Sequence, residues 1–246
     1  MNKRLSPIDI AKKSAIDAGK YLKENFHIFH ESIFDEGRDI KLKIDQDAER
    51  IILDVISEYS ELPILSEESG ISGSLGDNYW VVDPLDGSSN YFRKIRICAV
   101  SIALIQNQKP ILGVINDFMN DDLYYAERNK GAFCNDKVIS VSEVADTHQG
   151  TLMTGIPAKQ NYTNDEFSSM INLFQCWKKV RMIGSAAIAN LYVANGRADC
   201  YEEKDTFIWD VAAGAIIVQE AGGIAHLSAL QDNFRLNAKF TNGKVK

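Results

Sequence analysis

The tightest constraint on the fold is a change of texture at Tyr79. Beyond it the chain breaks into short β-branched runs, Tyr79 to Val82, Ile97 to Ile105, Ile111 to Ile115 and Leu123 to Ala126. Asn107-Gln108-Lys109-Pro110 separates the second run from the third, which predicts a hairpin followed by further antiparallel strands. Before Tyr79, the three- and four-residue steps of Ile8, Ala11, Ala15, Ala18, Leu22 and Phe26 predict an amphipathic helix over 7–26. Ser6 and Pro7 suit its start. Ala48, Ile51, Ile52 and Val55 predict a second helix over 45–58, after a polar, turn-rich stretch around Asp35 to Arg38.

From Gly150 the order becomes strand, helix, strand, helix. Leu152 to Thr154 and Val180 to Met182 read as strands, and 164–175, 186–194 and 210–221 as helices, the last stopped by Gly222-Gly223. An α+β half, 1–145, thus precedes an α/β half, 146–246, with a soft boundary and a broad shared interface.

The chain has 27 basic and 34 acidic residues, a net charge of -7, which argues against a nucleic-acid or anionic-membrane surface. An anionic substrate would need a cation at its site. Cys98, Cys134, Cys176 and Cys200 contain no C-x-x-C pair and read as reduced core or near-core thiols. The N-terminus carries acid early and no apolar block, and no run approaches the roughly 18–20 apolar residues of a bilayer span, so a cytoplasmic protein is expected.

The densest chemistry lies in Trp80-Val81-Val82-Asp83-Pro84-Leu85-Asp86-Gly87-Ser88-Ser89-Asn90. An apolar strand leads into two carboxylates; a turn at Pro84 would return Asp86 to the side of Asp83, where both can face one hard cation. Gly87 leaves room for a phosphate, and a helix opening at Ser88 offers it N–H groups. An Asp-rich turn capping a helix is the plain alternative. Glu67-Glu68 follow the apolar run Leu62 to Leu65, as exposed acids also would, and Asp210 in Trp209-Asp210-Val211-Ala212-Ala213-Gly214 could be only a helix cap.

Taken together and in order, these three segments resemble the signatures of the inositol monophosphatase superfamily of Mg²⁺-dependent, typically Li⁺-sensitive phosphatases. Gly184-Ser185-Ala186-Ala187 and Thr154-Gly155 also resemble family elements, and the match runs from the first helix to Gly223. The resemblance implies a layered αβαβα sandwich with helices between and outside two sheets. It also implies two or three Mg²⁺ ions: one on Glu67, Asp83 and the Leu85 carbonyl, another on Asp83, Asp86 and Asp210, and a looser third on Glu67 through water. Asp45 and Ser88 would activate the attacking water, the Gly87 and Ser88 backbone would cradle phosphate, and Ala186, Glu203 and Asp210 would meet the substrate.

Some positions depart from the family pattern. Leu42 replaces a Thr three residues before Asp45, Phe207 replaces the His of inositol-preferring members, and the loop 202–206 is about one residue longer, so Glu202 competes with Glu203 for a substrate hydroxyl. A terminal helix common in the family is shortened or absent. His27, His30, His148 and His226 form no ligand pattern, and Arg181 either supports the site or ends a strand. The expectation is a phosphatase of a small sugar, inositol or polyol phosphate, working as a homodimer without nucleic acid or membrane. A 3'(2'),5'-bisphosphate nucleotidase and a non-catalytic, metal-dependent phosphate-binding module are the alternatives.

Overall fold

The computed structural model describes residues 5–28, 32–36, 39–156 and 163–246. Helix α1 (Pro7–Asn25) starts at Ser6, whose hydroxyl accepts the Asp9 amide at 3.4 Å, with Pro7 in the first turn, where a missing N–H costs nothing. A two-stranded ribbon, β1 (Ser32–Glu36) and β2 (Asp39–Leu42), leads into α2 (Lys43–Tyr59). The ribbon sits where the sequence predicts only a polar turn, because its strands are too short and too charged to show alternation. His30 and the side chain of Leu42 lie outside the described residues.

Next come β3 (Ile64–Ser66), β4 (Gly70–Ser72), β5 (Asn78–Asp86), the short helix α3 (Ser88–Phe92), β6 (Ala99–Gln106), β7 (Lys109–Asp117), β8 (Asp122–Glu127), β9 (Ala132–Cys134) and β10 (Lys137–Val138). The strands form one eight-stranded sheet in the order β10-β9-β8-β7-β6-β5-β3-β4. The expected hairpin is its centre. Asn107 and Gln108 both adopt positive φ, 50° and 61°, the two-residue turn whose twist matches its flanking strands.

The C-terminal half contributes β11 (Thr151–Thr154), α4 (Asn164–Gln175), β12 (Lys179–Arg181), α5 (Ala186–Ala194), β13 (Cys200–Phe207), α6 (Ile208–Glu220), β14 (Ile224–Leu227) and β15 (Arg235–Thr241). Its five-stranded sheet runs β12-β11-β13-β15-β14. The stretch 202–206, which reads as a loop in the sequence, is part of β13, with a pairing shift between Glu203 and Thr206 and Asp205 in the left-handed region at φ 57°. Its run of charges masks the strand. No helix follows β15 within the residues described.

Crossover handedness sets the layers. The chain passes from β11 to β12 in one direction and from β12 to β13 in the other, so right-handed crossovers put α4 and α5 on opposite faces of the sheet. Helices α1 and α2 cover the outer face of the eight-stranded sheet, and α5 and α6 fill the space between sheets. That gives the αβαβα order, with α4 outermost and none of its residues buried. Helix α6 is apolar nearly all round because it has two sheets to satisfy: it packs on β5 to β8 and on β13 to β15. Gly113 on β7 permits the approach, since a Cβ there would meet the Ala213 carbonyl at 2.5 Å. The four cysteines are free thiols; Cys176, at the end of α4, is exposed rather than near-core. Among the described residues, no helix is long and apolar enough to cross a membrane.

Candidate metal centre and active site

Strand β5 does not stop at Asp83. It continues to Asp86, and the three-residue step from Asp83 to Asp86 faces a two-residue step from Ser101 to Ala99 on β6. The expected turn at Pro84 is therefore a one-residue bulge. Residues three apart on a regular strand point to opposite faces, and the extra residue brings them to the same side. Pro84, with no N–H to donate, fits where the ladder skips, and the Asp83 carboxylate takes the Leu85 amide at 3.0 Å.

The two acids are held differently. Asp86 lies at the N-terminus of α5: the Ala186 and Ala187 amides donate to its two oxygens at 3.1 Å each, and the Ser185 hydroxyl donates to Oδ2. Ser185 also caps that helix by accepting the Ile188 amide at 3.1 Å. Asp210 comes from the other half, in the first turn of α6, rather than at its N-cap. Its Oδ2 accepts Thr206 Oγ1 at 2.7 Å and the Phe207 amide at 3.0 Å. Its backbone carbonyl accepts Asn190 of α5 at 3.3 Å, and the Trp209 carbonyl accepts Ser101 of β6 at 3.3 Å, which fixes α6 against both neighbours.

Asp83, Asp86 and Asp210 each present a carboxylate oxygen, and these oxygens lie within 4.8 Å of one another. Glu67, one residue past β3, joins from the side. Its amide donates to the Val82 carbonyl at 3.2 Å, and its carboxylate shares a hydrogen bond with that of Asp83. Burial raises the pKa of all three aspartates. Asp83 is driven well above the carboxylate range, with repulsion from Glu67, Asp86 and Asp210 added. Asp86 rises to about 7, held back by its Ser185 and α5 hydrogen bonds, and Asp210 to about 6, held back by Thr206 and Phe207. Four acids drawn together from two halves, all oxygen donors with no His or Cys, suit a hard divalent cation.

Around the cluster opens a cavity of about 420 Å³, lined by Glu67, Asp86 and Asp210 together with Glu203, Phe207 and Arg235. Thr154, Gly155 and Ala186 also line it. Gly87 precedes α3 with φ 86°, and a Cβ there would meet the Ile97 carbonyl at 2.8 Å, so only glycine fits. Ser88 opens α3 and donates its hydroxyl to the Leu85 carbonyl at 2.9 Å. Asp45 is buried in the first turn of α2, favoured there by the helix dipole. Asn90 stitches the region together, donating to Ile97 and Ile183 carbonyls at 2.8 and 2.7 Å.

Of the competing glutamates, Glu203 faces the cavity, with Tyr201 donating to it at 2.9 Å and with burial and Asp210 raising its pKa to about 8. Glu202 instead pairs with Lys239 at 2.8 Å. Arg181 is exposed at the end of β12, and His27, His148 and His226 are exposed away from the cavity. Sequence reasoning places Ser185 in a family-like segment but gives it no role, although its place before an apolar helix could mark it as a cap holding Asp86. It passes over Arg235, which carries no local signal at all.

The inositol monophosphatase family model matches residues 4–241. The chain belongs to the inositol monophosphatase family. An inositol-1-monophosphatase from Synechocystis is 36% identical over 250 residues, covering 97% of this chain and 85% of that protein. A Nus factor SuhB from Xylella fastidiosa is 37% identical over 224 residues, covering 88% and 80%. The solved structure of inositol monophosphatase from Anabaena superposes with a TM-score of 0.84 at 32% identity, covering 96% of this chain and 90% of that one. The mixed α/β architecture of two sheets with packed helices is thus the architecture of this family.

Proposed function

We propose that this family member is a Mg²⁺-dependent phosphomonoesterase acting on a small sugar, inositol or polyol phosphate. The observation that carries the reading is the convergence of Asp83 and Asp86 with Asp210, from distant parts of the chain, around one point. Glu67, Asp83, Asp86, Asp210 and the Leu85 carbonyl would hold two or three Mg²⁺ ions. Bound there, such ions lower the pKa of water, orient it for in-line attack and neutralise charge on the leaving oxygen.

The chain's own groups do the rest. The Gly87 turn and the amides that open α3 receive the phosphate, while α5 holds Asp86 in place through Ser185, Ala186 and Ala187. Asp45 with the Ser88 hydroxyl takes the proton of the attacking water; for that, the hydroxyl turns away from the Leu85 carbonyl it now meets. Glu203, in the lining of the cavity, accepts a hydrogen bond from a hydroxyl of the leaving alcohol.

Relatives named fructose-1,6-bisphosphatase/inositol-1-monophosphatase, such as that of Aquifex aeolicus at 32% identity, support a phosphatase. Relatives named Nus factor SuhB favour a second reading, in which the fold serves as such a factor rather than through turnover. A panel of inositol, sugar, polyol and 3',5'-bisphosphonucleoside esters separates the two. Release of phosphate that needs Mg²⁺ and stops with EDTA supports the hydrolase. No release from any ester, with Mg²⁺ binding intact, supports the second reading.

A further inference from the structure

Among the described residues that line the cavity, Arg235 is the sole cation, facing Glu67, Asp86, Glu203, Asp205 and Asp210. It starts β15 directly opposite Phe207 on β13, and its guanidinium lies 4.0 Å from the centre of the Phe207 ring. Phe207 is itself stacked on Trp209, 4.5 Å between centroids and 11° from parallel. One face of the guanidinium is thereby fixed. Its two hydrogen bonds, to the Asp205 carbonyl at 2.5 Å and the Asp205 carboxylate at 2.9 Å, both leave from Nη1. Among the described residues, Nη2 and Nε donate to nothing. A planar fork with one edge anchored and the other undonated, in the lining of the same cavity as the acid cluster, matches the paired oxygens of a carboxylate or phosphate.

From this we infer that Arg235 is a specificity-determining residue that reads a second anionic group on the substrate, several bonds away from the ester that is cleaved. The inference rests on the phosphatase reading for its first anion and adds a substrate class: small phosphate esters that carry a further carboxylate or phosphate. A neutral polyol tail would leave the open edge of Arg235 unmatched. The Asp205 pair is the clamp that presents that edge, and the Phe207–Trp209 stack holds the plane of the guanidinium.

Two substrate pairs test it: 3-phosphoglycerate against glycerol 3-phosphate, and fructose 1,6-bisphosphate against fructose 1-phosphate. The wild-type protein should favour at least one doubly anionic member over its partner by tenfold or more in kcat/KM, chiefly through KM. The carboxylate and phosphate pairs show which group is read. Arg235→Met should collapse that ratio to near one, and Arg235→Lys, which keeps charge but loses the fork, should retain part of it. Asp205→Asn, which loosens the clamp but leaves the cation, should keep most of it. No preference in the wild type, or a ratio unchanged in Arg235→Met, overturns the inference, as does an equal loss for both members of each pair. Calorimetric binding of the non-hydrolysable phosphonate analogues reads the same ratios without turnover. A protein that hydrolyses nothing but binds the doubly anionic analogues through Arg235 would therefore sink the phosphatase and leave this inference standing.

Discussion

In the acid cluster, Asp83 and Asp86 leave a single bulged strand three residues apart; among the other residues of the site, Glu203 and Arg235 come from two antiparallel neighbours that meet only when the C-terminal sheet is assembled. The acid side is built by local sequence: strand, proline, bulge, glycine, helix. The Glu203 and Arg235 pair is built by pairing register. Local construction sets Asp83 and Asp86 on one strand, and α5 and α6 complete the cluster by holding Asp86 and bringing Asp210. Glu203 and Arg235, by contrast, supply none of those hydrogen bonds and can change while the cluster keeps them. That separates a fixed chemistry from an adjustable recognition surface.

The largest test removes an acid from the fixed side. Asp83→Asn is expected to cost about 10²–10³ in kcat/KM, on the order of 3–4 kcal/mol, as when one preorganised electrostatic group is lost. Because Asp83 is a buried carboxylate pressed by Glu67, Asp86 and Asp210, the same change should raise the melting temperature in EDTA while weakening stabilisation by Mg²⁺. A variant with near wild-type activity in Mg²⁺ would show that the acid side is not where the chemistry occurs.

A pH series probes the same side without mutation. Asp86 and Asp210 in the folded chain hold protons up to about 7 and about 6, whereas the unfolded chain releases them near 3.8. Between those limits the folded state binds more protons, so metal-free stability falls as pH rises from about 4 to about 7, each group contributing at most roughly 1.4 kcal/mol for every pH unit crossed. Melting curves in EDTA should show this decline, and excess Mg²⁺ should remove most of it. A flat curve in EDTA would mean that burial does not lift these two carboxylates above the ordinary range.

Ser185→Ala removes the cap of α5 and one donor to Asp86, and is expected to cost about 1–2 kcal/mol in denaturant unfolding. It should also shift the acid limb of the activity profile to higher pH, since a donor that holds the Asp86 pKa down is gone. Ser88→Ala should be the mildest on stability, within about 1 kcal/mol, because its hydroxyl makes one neutral hydrogen bond to Leu85. Its activity loss should remain smaller than that of Asp83→Asn.

The same contrast explains what can be read from sequence. The strand leading into Asp83, the helix opening at Ser88 and the hairpin at Asn107-Gln108 each follow from neighbours in the chain, and helices α4 and α5 lie at the residues read as helices from the sequence. The bulge reads as a turn because Pro84 signals both, and only the partner strand's spacing decides. The second half of β13 reads as a loop because its alternation is broken by the shift at Glu203 to Thr206 and by a run of charges. Arg235 is invisible for a deeper reason: it matters through Phe207, twenty-eight positions earlier, and nothing near it in the chain announces that contact.

Helix α6 serves two sheets at once, and this makes the molecule mechanically indivisible. The face it turns to β7 and the face it turns to β14 share one backbone, so prising the halves apart would unroof valines, alanines and isoleucines on both sides and drag Asp210 from its companions. A gene truncated near codon 145 should accordingly yield insoluble product, and limited proteolysis of the intact chain should clip surface loops without ever releasing a stable half.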